Sequence, residues 1–269
     1  MLRAQGIPFQ QHGGPAGHGL FVPEEYAEAA LRELRDYESE NVDWPPRDAP
    51  VKTAGGGIEG GVVYIAFLIA VFVLDDKGAF GADWKALGAL RSDLLYSEPW
   101  RCFTALSLHS GPPHLISNLV YGSLFGFLTS MSLGGGIAWL AIVLAGAMGN
   151  FLNGLIRGPG SSSIGASTAV FAAVGVLSGC EWRRRVLLRQ RRIRRAAPFL
   201  IAALILGWMG MGGDNTDVAA HVTGLIAGFV GGVLCARIGQ AAVDSRSTQL
   251  VCGALAVTLM CAAWIFPLA

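Results

Sequence analysis

The sequence predicts an all-α, polytopic membrane bundle of seven helices, and three observations carry that expectation. The first is composition: 52% of the 269 residues are hydrophobic and only 14% are charged, whereas a soluble domain is about 25% charged. The mean hydropathy is +0.48. The second is the charge map, which has no Asp, Glu, Lys or Arg over 60–74, 102–156, 158–180, 196–213, 218–236 or 247–269. Since a helix crossing about 30 Å of hydrocarbon needs about 20 mostly apolar residues, these runs hold seven crossings. The third is glycine: 37 residues, about twice the usual ~7%, as is common in membrane helices.

The expected spans are 58–75, 113–132, 136–156, 165–181, 197–213, 218–237 and 248–267. Glu59 lies inside the first, and Gly134-Gly135-Gly136 separates the second from the third. Residues 1–54 are of another kind. They carry nine of the nineteen acidic residues and lack a signal-peptide pattern. From Pro23 to about Glu40, Tyr26, Ala30, Leu34 and Tyr37 fall at helical spacing. Pro45-Pro46, Pro50 and Gly55-Gly56-Gly57 then read as a linker. The expected organisation is a cytosolic tail over 1–54, a six-helix core over 55–240 and an additional helix over 241–269.

Between the fourth and fifth spans, eight arginines fall within residues 183–195. The positive-inside rule puts that loop in the cytoplasm, and with it the N-terminus. Spans two, four and six then begin at the outer face. Each carries polar groups near that end: His114 and Asn118, Ser167, and His221. Ionisable residues inside a membrane are costly and are functional candidates. One such His hydrogen-bonded to a neighbouring carbonyl would merely join helices; four groups at one depth are harder to explain that way.

The chemistry these groups offer is nucleophilic catalysis. Ser167 follows Gly165 at the start of a short helix, behind the non-helical loop Arg157-Gly158-Pro159-Gly160-Ser161-Ser162-Ser163. Irregular backbone at that depth requires a protein-lined or wet hollow. His221 can supply the base that a serine needs. Asp217, four residues before it, reads as the cap of span six rather than as a third catalytic member, which leaves a Ser–His dyad. His114 and Asn118 share a helix face and, with the Ser167 amide, could hold an oxyanion. Gly224, Gly228 and Gly232 follow the small-xxx-small pattern that lets helices approach closely.

With these residues in hand, the chain resembles the rhomboid family of intramembrane serine proteases. The matching motifs are Trp100-Arg101, His114-x-x-x-Asn118, Gly165-x-Ser167 and Ala220-His221-x-x-Gly224, joined by His109 and Gly149-Asn150. They occur in order over about residues 60–237. The resemblance implies a rhomboid-like six-helix core plus a C-terminal seventh helix, with Ser167 as nucleophile and His221 as base. It implies oxyanion stabilisation by His114, Asn118 and the Ser167 amide, a turn shaped by Gly165, and Trp100 and Arg101 in a membrane-associated first loop. Span five, with Trp208-Met209-Gly210-Met211-Gly212 at its outer end, would gate substrate entry. Thr168 stands where many members have Gly. Phe171 takes the place of an aromatic that stacks on the catalytic His.

The implied partners are transmembrane protein substrates and the lipid bilayer, with no nucleic acid. The net charge of +1 gives no global basic field. No cofactor or metal is expected, since the five cysteines have neither disulfide-framework nor metal-ligand spacing. Arginine outnumbers lysine 17 to 3, which points to a GC-rich genome and, with the topology, to a bacterial inner membrane. The competing functions are a catalytically inactive rhomboid-like factor that binds membrane clients, a small-solute transporter and a membrane scaffold. The oligomeric state is not legible.

Overall fold

The computed structural model describes residues 2–14, 17–41, 57–209 and 216–268. The chain divides into two units, Met1–Val51 and Lys52–Ala269. The first holds an antiparallel hairpin, β1 (Gln10–Gly14) and β2 (Gly17–Phe21), which the sequence reading did not foresee, and the helix α1 (Ala27–Glu40). Its small core is Leu2, Ile7 and Ala30, flanked by Phe9 and Val22. The expected linker lies outside the described residues except for Gly57, which caps the next helix.

The second unit is helical. Among the described residues, seven long helices fall where the seven spans are expected: α2 (Ile58–Asp76), then, beyond a loop that holds the short helices α3 (Trp84–Gly88) and α4 (Arg101–Thr104), α5 (Pro112–Leu133) and α6 (Gly135–Arg157). α7 (Ser167–Leu187), α8 (Arg192–Met209) and α9 (Val218–Cys235) follow, then the short α10 (Gln240–Val243) and finally α11 (Arg246–Leu268). Among the described residues, α2, α5, α6, α9 and α11 are long and apolar enough to cross a membrane. In α7 and α8 the arginine block occupies the facing ends, so their uncharged parts, 167–180 and 196–209, are shorter. Glu181 pairs there with Arg184 and Arg185.

α7 is the central element, with a continuous buried face from Thr168 to Gly179. Lipid gives no hydrophobic drive for helix association, so close packing of small residues must hold such a core. Side chains built on Gly224, Gly228 and Gly232 of α9 would collide with the carbonyl oxygens of Thr168, Ala172 and Val176. Side chains on Gly175 and Gly179 of α7 would collide in turn with those of Leu225 and Phe229. The two backbones therefore touch along their length. Gly149 of α6 reaches the same junction, its hydrogen face against the Gly224 backbone. On the other side of α7, Thr129 of α5 donates to the Ala173 carbonyl at 3.2 Å.

α2 packs on α5 and α6 through Tyr64, whose hydroxyl donates to the Asn118 carbonyl at 2.8 Å and whose ring lies 5.0 Å from that of Trp139. α11 is anchored at both ends. Gln249 donates to the Leu133 carbonyl at 3.0 Å and accepts from the Ile137 amide at 3.1 Å, closing the turn between α5 and α6. At the other end the Trp264 ring lies 4.6 Å from Trp84, and its Nε1–H donates to Ser107 at 3.0 Å. Trp264 is buried, and deleting a buried Trp typically costs about 3–5 kcal/mol. Trp264→Ala should therefore lower the melting temperature in detergent by several degrees. Trp264→Phe, which keeps most of the ring, should lower it less.

Candidate functional site

The loop before α5 and the loop before α7 are sewn together, and that seam brings His114 and Ser167 to either side of Gly165. Leu90 and Arg91 (β3) pair antiparallel with Ser162 and Ser163 (β4). Ser92 hydrogen-bonds to the Gly158 and Ser161 carbonyls. The Gly165 amide then donates to the Ala105 carbonyl at 2.9 Å. Gly165 has φ +130°, a conformation that side chains rarely adopt. A Cβ there would lie 2.7 Å from His114 Nε2 and 3.6 Å from Ser167 Oγ. The glycine thus leaves a gap between the imidazole and the hydroxyl, and α7 begins directly at Ser167. First-turn amides of a helix have no intrahelical acceptor, so the Ser167 N–H is available to an anion in that gap, on the positive end of the helix.

The orientation of His114 is set by a residue the sequence reading did not single out. Ser110 presents its hydroxyl 3.1 Å and its amide 3.5 Å from His114 Nδ1. A tautomer in which Nδ1 accepts from that amide would carry the ring proton on Nε2, which faces Gly165. His109 packs edge-on against His114, with centroids 5.0 Å apart, and its Nδ1–H donates to the Ser107 carbonyl at 3.2 Å. Burial, with His114 nearby, pushes His109 down to about 4, so it is neutral at physiological pH. Asn118 is buried one turn beyond His114, and its Nδ2–H has no acceptor among the described residues. A buried donor left open is costly, which is what a site awaiting an oxyanion would hold.

His221 is buried on the first turns of α9, with its ring 4.5 Å from that of Phe171. Gly224, one turn on, lies against the Thr168 backbone. The close α7–α9 packing therefore fixes His221 beside the helix that Ser167 opens. Asp217 caps α9 by accepting from the Ala220 amide at 3.1 Å, as its sequence context suggests, and Asn215 lies outside the described residues. Its carboxylate is committed elsewhere as well: Asn153 donates at 2.9 Å and Arg157 lies at 2.9 Å. Asn153 and Arg157 gave no signal in the sequence, since a buried Asn in an apolar helix reads equally as glue.

Burial would raise the Asp217 pKa, but bonds from Ser163, Asn153, the Ala220 amide and Arg157 hold it below the usual carboxylate range. A depressed folded value contributes stability that is fully present above the unfolded pKa of about 4 and is lost as pH falls through the lower folded value. Asp217→Asn should therefore lower the melting temperature at pH 7 and flatten its acid limb below about pH 4. A pH series of melting curves checks this.

Trp100 and Arg101 build the loop before α5. Trp100 stacks on Phe266 of α11 at 5.6 Å. Arg101 is buried and donates to the Ala86 and Ala89 carbonyls, both at 2.9 Å, while pairing with Glu98. At the C-terminal end of α8, Trp208 is exposed; Gly210, Met211 and Gly212 lie outside the described residues. No cluster of three or more His, Cys, Asp or Glu able to hold a metal occurs among the described residues.

The fold and site together define an integral, multi-pass helical membrane protein with a serine and a histidine on two locked helices. The rhomboid-domain family model matches residues 96–238, more than half of the chain, and the protein belongs to the rhomboid family. It is 31% identical over 173 residues to Rhomboid-like protein 11, chloroplastic, of Arabidopsis thaliana, covering 60% of this chain and 62% of that one. It is 26% identical over 168 residues to the rhomboid protease GlpG of Enterobacter sp. (strain 638), covering 61% and 57%. Against the rhomboid protease GluP of Bacillus subtilis it is 26% identical over 202 residues, covering 73% and 38%. The match thus spans less than two thirds of each of these three relatives.

Proposed function

We propose that the protein is an intramembrane serine endopeptidase that cleaves transmembrane segments of other membrane proteins with a Ser167–His221 dyad. The observation that carries the reading is the gap at Gly165, bordered by the Ser167 hydroxyl and His114 Nε2, with His221 held on the helix packed against α7. In this scheme Ser167 Oγ bonds to the scissile carbonyl carbon while its proton passes to His221. The oxygen takes the negative charge and is met by the Ser167 amide, His114 Nε2–H and Asn118 Nδ2–H. Collapse of that intermediate breaks the C–N bond, and His221 returns the proton to the leaving amine. Water, deprotonated by the same histidine, then hydrolyses the acyl-enzyme.

A substrate helix must unwind before its carbonyl can reach Ser167, so segments with helix-breaking residues are the expected substrates. The arginine loop at 183–195 supports a cytoplasmic N-terminus and a site opening to the outer face, and the excess of arginine over lysine, with that topology, supports a bacterial inner membrane. Entry beside α8 remains the expected route.

Two measurements test the reading. A fluorophosphonate probe should label the wild type and fail on Ser167→Ala, and purified wild type should cleave a model single-span substrate in liposomes. Label that persists on Ser167→Ala, or cleavage unchanged in that variant, would overturn it. For the oxyanion donors, Asn118→Ala should lower kcat by about 10²–10³-fold with little change in KM, the usual loss for one such donor. An equal rise in KM would instead mark Asn118 as a ground-state binder.

A further inference from the structure

A cavity of about 1060 Å³ lies between α2, α6 and α11. It exceeds the ~300–1,000 Å³ range of ordinary small-molecule pockets. Its walls are apolar for most of their length, with Phe67, Trp139, Ile142 and Met260 among them. All of the charged residues lining it (Glu59, Asp244 and Arg246) sit at one end, where α2 and α11 begin. From Gln249 to Met260 the α11 wall rises about 16 Å at 1.5 Å per residue. That is about half of a ~30 Å hydrocarbon core. The depth is therefore that of one leaflet, and the charged mouth stands where a headgroup would.

The mouth has one cation and two anions. Arg246 forms no ion pair among the described residues. A guanidinium suits a phosphate, and the two carboxylates suit an ammonium while repelling a further negative charge. We propose that this cavity binds one zwitterionic phospholipid with a primary-amine headgroup. Its acyl chains run up between α2, α6 and α11, its phosphate rests on Arg246 and its ammonium on Glu59 and Asp244. The deep end reaches Ala166 and Ala169, so the chain tips support the turn that carries Ser167 from behind.

The test is native mass spectrometry of the full chain in mild detergent, after incubation with equimolar phosphatidylethanolamine and phosphatidylglycerol. One phosphatidylethanolamine should stay bound per chain under conditions that strip the rest. Arg246→Ala should weaken retention about fivefold, the value of one basic residue at a lipid surface. Gly253→Leu should abolish it: Gly253 lines the cavity, and a Cβ there meets only Gly136 Cα at 3.7 Å, so the added bulk is accommodated toward the cavity. Should Gly253→Leu fail to fold, Arg246→Ala still decides. Equal retention of both lipids, retention unchanged in Arg246→Ala, or no retained lipid would overturn the proposal. A dimer that Gly253→Leu dissolves, with no lipid bound, would assign the cavity to a second copy of this chain instead.

Discussion

Ser167→Ala, His221→Ala and the double variant should all lose cleavage to about the same extent, on the order of 10⁴-fold or more. Groups that act as a unit in proton transfer and attack are grossly non-additive, because removing either one already abolishes the covalent route. The residue of activity would come from the oxyanion donors and from substrate positioning, which neither substitution touches. Cleavage of a single-span substrate in liposomes, measured for all three variants side by side, checks this. Effects that multiply, with the double variant far below either single one, would mean that Ser167 and His221 act independently and that no dyad exists. All three variants should still fold, since Ser167 is only half-buried and His221→Ala leaves the Gly224 contact intact.

Gly228→Leu should destabilise the bundle strongly. Adding methylenes to a packed core usually costs about 1–3 kcal/mol, because side chains shift to new rotamers. Here the colliding atom is the Ala172 carbonyl oxygen, which belongs to a helix backbone and cannot rotate away. The helices must separate, so the cost should reach or exceed the top of that range. Separation would also withdraw His221 from α7, and activity should fall together with the melting temperature. Gly207→Ala is the control, since a Cβ at Gly207 meets nothing within 4 Å. It should be neutral or stabilising by up to about 1 kcal/mol through helix propensity. Melting curves of both variants in one detergent decide it; a tolerated Gly228→Leu would mean that the α7–α9 contact is looser than its geometry.

The membrane helices were legible because their signal is compositional: long charge-free runs need no partner to be read. Among the described residues, seven long helices fall at the expected places, with ends shifted by a few residues where arginine or glycine blurs the boundary, as at Leu187 and Arg192. The glycine spacing of α9 was readable for the same reason, since small residues four apart have one dominant use in lipid. The hairpin at 10–21 was not, because Gly-rich polar strands lack the alternation of apolar and polar residues that marks a strand.

Within the site, His114, Asn118, Ser167 and His221 stood out as polar groups in apolar runs. Ser110 did not, being an ordinary serine in a loop, and its importance lies only in the 3.1 Å contact to His114 Nδ1. The Asn153–Asp217–Arg157 cluster was hidden because it joins residues far apart in sequence. The β3–β4 seam was hidden too, since two-residue strands carry no pattern.

The Gln249 staple bears on the order of assembly during synthesis. The turn between α5 and α6 is completed by a side chain that lies 112 and 116 positions further along the chain than the groups it binds. Until α11 has entered the bilayer, the Leu133 carbonyl and the Ile137 amide await that partner. Entry of α11 is therefore needed to complete this turn, and chains stalled on the ribosome before Gln249 should leave it open to quality-control proteolysis.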